Sequence, residues 1–335
     1  MDNIIPNYDD LELSTQILIE EALNRDIAVE ILDRKDNFLK LEKGGKAEYV
    51  KQATRTSVDS YIAPLIMENK LITKTILMKH GIRVPSGRTF DNMEHAKAAY
   101  NDFADMDIVI KPKSTNFGIG ISIIQRNRSR EDFEQAVDDA FKFDTSVIVE
   151  EFIEGKEFRF LIIDYKVVAI LHREAANVIG DGQRTIWQLI KEKNRNPLRG
   201  VGYKKPLEKI KAGSSEESFL IMQGKDFSTI PGNGEQVFLR KNSNISTGGD
   251  SIDFTDEIAD VYKEIAVKAA KAVGAKICGA DIIIHDPKGE PCLTDLEDSY
   301  AVIELNFNPA IHIHGFPYLG KNRHAEKHIL DLLGF

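Results

Sequence analysis

The sequence predicts a mixed α/β protein of two or three lobes, and three observations support it. Short β-branched runs alternate with amphipathic helical stretches, glycines punctuate the joins between strands, and 335 residues are enough for more than one buried core. The apolar fraction of 42% and charged fraction of 29% fit a soluble globular protein, and no window reaches the apolar length that spans a bilayer. The opening Met1-Asp2-Asn3-Ile4-Ile5-Pro6 lacks the basic and apolar regions of a secretory signal, so a cytoplasmic location is expected, with no membrane partner. A net charge of −9 argues against nucleic acid, and any anionic ligand has to be held by a local cluster of cations, backbone N–H groups and metal. Cys278 and Cys292 show no metal or redox spacing and read as buried thiols.

Leu13 to Asn24 has a helical apolar pattern, and Ile27 to Leu32 follows as a strand. Phe38–Leu41 and Ala47–Lys51 read as a hairpin across Gly44-Gly45, completing a small N-terminal α/β lobe over 1–70. Asp59 to His80 reads as mostly helical, closed by Gly81 with Pro85 beyond. Lys70 and Lys74, four apart, share a face of it, which is also what an ordinary solvated helix looks like.

A second lobe is expected over 71–150. Asp107 to Lys113 is a strand that delivers Lys111 into the loop from Ser114 to Gly120, after which Ile121 to Ile124 resumes a strand. Gly118 and Gly120 can let backbone N–H groups approach phosphate oxygens as a lid, although a tight hairpin turn has the same composition. No Gly-Lys-Ser/Thr closes the loop and no helix follows it, so it is neither a P-loop nor a dinucleotide fingerprint.

The third lobe spans 151–335. A buried strand from Ser146 breaks around Glu150, Glu151 and Ile153 and restarts beyond Gly155. That linker can offer main-chain groups to an adenine edge, with Glu157 placed for ribose hydroxyls, and the alternative is a solvated acidic rim. Val167 to Leu171 runs into Arg173, a candidate for charge stabilisation. Within a substrate insertion expected over 180–235, Gly180 to Ile190 reads as a turn into a helix, and Asn194 to Gly234 is polar and loop-rich, as a cover for a substrate would be. Arg240 then leads into a loop bearing Asn244, Ser246 and Thr247, a composition able to bind a carboxylate or phosphate or to be merely a loop. Asp256 to Val273 is an amphipathic helix.

The most informative stretch is Cys278 to His314. Asp281 opens an apolar β-branched run, while Glu304 and Asn306 lie two apart on a second strand and therefore on one face. A hairpin brings Asp281 over them, making a magnesium site of the kind that carries polyphosphate; an edge hairpin with stray acids is the alternative. His312 and His314 follow on a loop and read as substrate-facing or packed rather than as metal ligands.

This order of lysine helix, Lys111 strand, glycine lid, glutamate linker and Asp281–Glu304–Asn306 resembles the ATP-grasp superfamily of carboxylate-amine ligases. The runs LSTQILIEEAL, EYVKQATRTS, APLIMENK, KPKSTNFGIGIS, NPLRG, LRKNSNISTGGDSID and ELNFNPAIHIH resemble the ATP-grasp half of the fused bacterial enzyme that makes glutathione in two steps. The same core is similar to the ATP-grasp half of cyanophycin synthetase. The upstream γ-glutamylcysteine-forming domain of the first and the downstream Mur-ligase-like half of the second are not in this sequence. The resemblance implies an ATP-grasp fold with a shortened N-terminal lobe, and a free-standing glutathione synthetase acting on γ-glutamylcysteine and glycine. It implies ATP and Mg2+, or Mn2+ in its place, as cofactors, with Lys70 and Lys111 on the phosphates and Arg173 on the tetrahedral oxyanion. Arg240, Asn244, Ser246, Thr247 and Asn308 would face substrate. Other readings are an amino-acid or dipeptide ligase of cyanophycin-synthetase type and a non-catalytic nucleotide-binding module. A homo-oligomer, or association with a separate γ-glutamylcysteine-forming enzyme, is compatible with the resemblance.

Overall fold

Two antiparallel sheets frame a cleft in the computed structural model, which describes residues 8–114, 120–289 and 299–335. The chain enters through α1 (Leu13–Asn24) and the meander β1 (Ala28–Asp33), β2 (Phe38–Lys43) and β3 (Lys46–Lys51). Gly44 and Gly45 take φ of 59° and 81°, the left-handed pair that a two-residue hairpin needs.

The helix expected from Asp59 to His80 is two helices, α2 (Ile62–Glu68) and α3 (Lys70–Lys79). Asn69 makes the break: its backbone is extended, and its side-chain oxygen accepts from the N–H groups of Leu71 and Ile72 at 3.1 and 3.2 Å. A short amide that satisfies two orphan donors starts a new helix more favourably than it continues an old one.

The first sheet has the order β4-β7-β5-β6, from β4 (Gly87–Phe90), β5 (Ile108–Pro112), β6 (Ser122–Ile124) and β7 (Val147–Glu151). Two helices, α4 (Met93–Ala98) and α5 (Arg130–Phe141), cover it through Phe90, Ile108, Ile110, Phe133, Val147 and Val149. A reciprocal Ser129–Asp132 capping box fixes the start of α5.

After β8 (Lys156–Ile163), β9 (Lys166–Glu174) and β10 (Asn177–Ile179), the helix expected beyond Gly180 is α6 (Ile186–Lys193). The stretch expected to be loop-rich is more ordered than its polarity suggests, with β11 (Arg199–Gly200), β12 (Leu207–Glu208) and α7 (Ser214–Met222) before β13 (Gln236–Phe238). Val178, Ile186, Leu189, Ile190, Ile210, Leu220 and Val237 give the insertion a core of its own. The chain returns through β14 (Asp250–Asp253), α8 (Asp260–Val273), β15 (Ile277–Ile284) and β16 (Tyr300–Asn306), and ends with α9 (His312–Gly315) and α10 (Ala325–Leu332).

The second sheet, β14-β9-β8-β15-β16, is buried on both faces over much of its length. Alternation sends Phe158, Phe160, Ile162, Ala280 and Ile282 toward α8, where Tyr262, Ala266 and Ala269 meet them. Leu161, Ile163 and Ile277 point the other way, onto Leu18, Leu41, Val50, Ile329 and Leu330. The lobe expected over 1–70 therefore shares its core with α10 and the sheet. Residues of the same parity further along these strands, Arg159 and Asp281, lie on that same face.

Candidate active site

Register builds the floor of the cleft. Asp281 lies directly across from Arg159 of β8 and from Glu304 of β16, and Asn306 pairs with Gly279 two positions on. Asp281, Glu304 and Asn306 thus share one face, as their spacing predicts, and Asn306 Nδ2 approaches Asp281 Oδ2 at 3.5 Å. All three line a cavity of about 1060 Å3, together with Lys70, Ser114, Arg173, Asn244, Ser246 and Asn308.

Cations already surround the carboxylates. Asp281 is 2% exposed, and Arg159 grips it through Nε and through NH2 at 2.6 Å, while Arg173 donates to it at 3.0 Å and also pairs with Glu157. Burial alone would raise the Asp281 pKa, but Arg159 and Arg173 outweigh it and hold the carboxyl below its ordinary range. Glu304 stays a third exposed, with Lys70 Nζ at 3.8 Å.

Three hard oxygen donors on adjacent strands, one of them still wet, suit a magnesium ion that keeps waters and phosphate oxygens in its shell. Asp281 Oδ2 accepts from both arginines, while Oδ1 accepts, among the described residues, only from Arg159 Nε and keeps a lone pair for an ion. Among the described residues no group of three His, Cys, Asp or Glu side chains could hold a metal, so a site here would combine the two carboxylates with the amide of Asn306 and with water or phosphate oxygens. On this chemistry the residues fit the ion.

A second charged node sits on the first sheet. Glu150, 3% exposed, receives Lys111 at 2.5 Å and also Lys74. Val109 lies opposite Glu150 and Lys111 opposite Ile148, which puts Lys111 and Glu150 on one face. Burial disfavours the Glu150 charge, yet the two lysines more than compensate and hold its pKa below the ordinary value. Burial lowers the pKa of Lys74, against the pull of Glu150. The node carries a net charge of +1 from two ammonium groups and one carboxylate, the sign that attracts a phosphate.

Several expectations need correction. Glu150 and Glu151 end β7 instead of forming a linker, because both are paired with β5, opposite Val109 and Ile108; the Glu151 side chain takes Arg83 at 2.5 Å. Glu157 is bound by Arg173 and Ser243. Arg240 is drawn onto Glu216, which is 1% exposed, at 2.6 Å and does not line the cavity. The Thr247 hydroxyl turns into its own loop, 2.9 Å from the Asn244 carbonyl. Gly118 lies outside the described residues, as does Cys292; Gly120 is left-handed at φ 74°. Ile153 lies between β7 and β8.

His312 lines the cavity with Nδ1 2.9 Å from Ser14 Oγ, and His314 is packed, neither ring nitrogen having a hydrogen-bond partner among the described residues. Burial pushes these imidazoles down to about 4 and about 3, so both are neutral at pH 7. The Cys278 thiol is buried and its pKa pushed up, which removes it from thiolate chemistry at neutral pH.

Sequence reasoning passed over Arg159, whose signal is its place two residues after Glu157 on one strand face. It weighed Lys74 only as a helix surface, although its i+4 spacing from Lys70 was visible. Arg55, Lys113, Tyr203 and Lys205 also line the cavity and were not singled out.

Comparison with known proteins agrees with this architecture. Residues 9–62 match a family described as an ATP-grasp-like domain, and residues 68–184 match the phosphoribosylglycinamide synthetase ATP-grasp (A) domain. The glutathione biosynthesis bifunctional protein GshAB of Clostridium perfringens is 60% identical over 326 residues, covering 97% of this chain and 41% of that protein. The GshAB of Desulfotalea psychrophila is 53% identical over the same proportions. A crystal structure of a bifunctional glutathione synthetase from Pasteurella multocida superposes with a TM-score of 0.79 at 47% identity, covering 98% of this chain and 44% of that one. The chain thus spans about two fifths of the length of the curated relatives it matches. With two ATP-grasp models matched in succession and a fold shared with a glutathione synthetase, the chain belongs to the ATP-grasp family.

Proposed function

We propose that this chain is an ATP-dependent carboxylate-amine ligase, a cytoplasmic glutathione synthetase that joins γ-glutamylcysteine to glycine and releases ADP and phosphate. The observation that carries the reading is the convergence of Asp281, Glu304 and Asn306 with Lys70 and Arg173 in one cavity, in a chain similar along nearly its whole length to glutathione-forming proteins.

Asp281, Glu304 and Asn306 would hold Mg2+, or Mn2+ in its place, which when bound neutralises polyphosphate charge. Lys70 and Lys111 bind phosphate oxygens. The dipeptide's cysteinyl carboxylate attacks the γ-phosphorus, ADP leaves, and an acyl phosphate forms. The glycine amine then attacks the acyl carbon, loses a proton and expels phosphate. Arg173 stabilises the oxyanion of that addition, and its bonds to Asp281 and Glu157 pre-orient it for the task. Asn244, Ser246 and Asn308 contact substrate from the cavity wall. No side-chain nucleophile is needed.

The test is mass spectrometry of the products from γ-glutamylcysteine, glycine, ATP and Mg2+, omitting each in turn. Glutathione should form only in the complete mixture, and glutamate with cysteine should give no γ-glutamylcysteine. ADP release with aspartate- or arginine-containing peptides instead would move the assignment to a cyanophycin-synthetase-like ligase. Silence with every acid would leave a nucleotide-binding module.

A further inference from the structure

Arg55 enters the cavity from the N-terminal meander, and nothing in the chemistry above uses it. The turn that presents it is unusual. Gln52 and Ala53, neither a glycine, both take left-handed backbone at φ 52° and 66°, and Lys51 and Arg55 close the turn with reciprocal backbone hydrogen bonds of 2.9 and 3.1 Å. Such conformations persist where surrounding contacts over-determine them. Here Thr54, 1% exposed, donates its hydroxyl to Asn308 Oδ1 at 2.8 Å, and Asn308 Nδ2 donates back to Gln52 Oε1 at 3.2 Å. The turn is fastened to the chain just beyond the metal strand.

The side chain so placed has no acid among the described residues. Among the described residues Arg55 makes no ion pair and no side-chain hydrogen bond, and its Nε is buried without a partner. Asp36, near enough to feel its charge, is already paired with Lys51 at 2.7 Å. The guanidinium instead lies over the Phe307 ring, 5.0 Å from its centroid. Arg159 and Arg173, by contrast, both have Asp281 as an ion-pair partner.

A planar, uncompensated fork on the wall of a substrate cavity matches a carboxylate held through two parallel hydrogen bonds. Both amino-acid substrates of the proposed reaction carry a carboxylate that must be bound and must not react: the glutamyl α-carboxylate of the dipeptide and the carboxylate of glycine. We propose that Arg55 anchors the non-reacting carboxylate of an amino-acid substrate, an inference that rests on the ligase reading above. The N-terminal meander is then a recognition element of the site.

Arg55→Leu and Arg55→Gln, the latter keeping a planar group over Phe307, test this in the full chain by steady-state kinetics with each substrate varied. The KM for one amino-acid substrate should rise on the order of 10- to 100-fold, the loss expected for hydrogen bonds to a charged group, while the KM for ATP stays within about 2-fold. Glycinamide separates the two sources. If glycine is the anchored substrate, wild-type discrimination between glycine and glycinamide collapses in the variants; if the dipeptide is, its KM rises and that discrimination survives. Unchanged KM values for both substrates, or a rise confined to ATP, overturn the proposal while the ligase reading stands. A wild type inactive on this pair defeats the glutathione reading, and the anchor is then read from whichever acid and amine do turn over; turnover with no pair overturns both.

Discussion

Glu150→Gln removes one charge from the lysine node and leaves its shape nearly intact. Lys74 and Lys111, with side chains 14% and 15% exposed, would then face one neutral amide. Breaking a buried ion pair by removing one partner costs ~3–5 kcal/mol. The amide oxygen can still accept from one lysine, which places the expected loss near the lower end, about 3 kcal/mol. With an unfolding entropy of roughly 2.1 cal/mol/K per residue, 335 residues lose about 4 °C in Tm. Urea titration and calorimetry of the nucleotide-free protein at pH 7 measure both quantities. The acid limb carries the sign. Because the folded Glu150 pKa lies below its ordinary value, its stabilisation is complete above the unfolded carboxylate pKa and is lost as pH falls through the folded one, so the gap between wild type and variant should close in acid. Combining Glu150→Gln with Lys111→Met should cost less than the sum of the two, since each change relieves the other. A loss below about 1 kcal/mol at pH 7, or strict additivity, refutes the claim that Glu150 holds two cations.

Glu304→Gln should keep the fold, since this side chain is a third exposed, and lose on the order of 100-fold or more in turnover; near-normal ADP release with ATP and Mg2+ would remove Glu304 from the metal set. Gly120→Val forces a β-branched residue to φ 74°, with a Cβ 2.7 Å from Pro112 Cγ and 2.8 Å from Phe143 Cδ2. The left-handed backbone costs ~1–2 kcal/mol and crowding against Pro112 and Phe143 about 1–3 kcal/mol more, so Tm should fall by roughly 3–7 °C while ATP use is impaired more strongly, and an unchanged KM for ATP makes the loop an ordinary hairpin turn.

What could be read from the sequence was local. The two-residue period of Glu304 and Asn306, the apolar run after Asp281 and the Gly44-Gly45 turn each depend on a few neighbouring residues, and the structure places all of them as expected. Electrostatic partnership was much less legible, because it depends on which strands become neighbours. Glu150 lies 39 residues from Lys111 and 76 from Lys74, so no window of sequence could set them against each other. Arg240 illustrates the reverse error: an arginine after a strand looked available for substrate until α7 supplied the buried Glu216. Asn69 broke a helix whose apolar periodicity continued straight through it. The insertion seemed loop-rich because its nine-residue α7 and its short strands each show too few periods to register.

The insertion is also pinned to the sheet through a buried carboxylate. Lys193 from α6, Arg199 from β11 and Asn177 from β10 all converge on Asp250, the first residue of β14 and 2% exposed. Lys193 and Arg199 also lie against the Tyr318 ring. Sliding the insertion along the sheet would strand a buried carboxylate and two cations at once, a cost of several kcal/mol. Arg199 also donates to the Gly248 carbonyl at 3.0 Å, so this buried cluster fixes where the insertion sits on the sheet and, with it, the cavity wall that Tyr203 and Lys205 line.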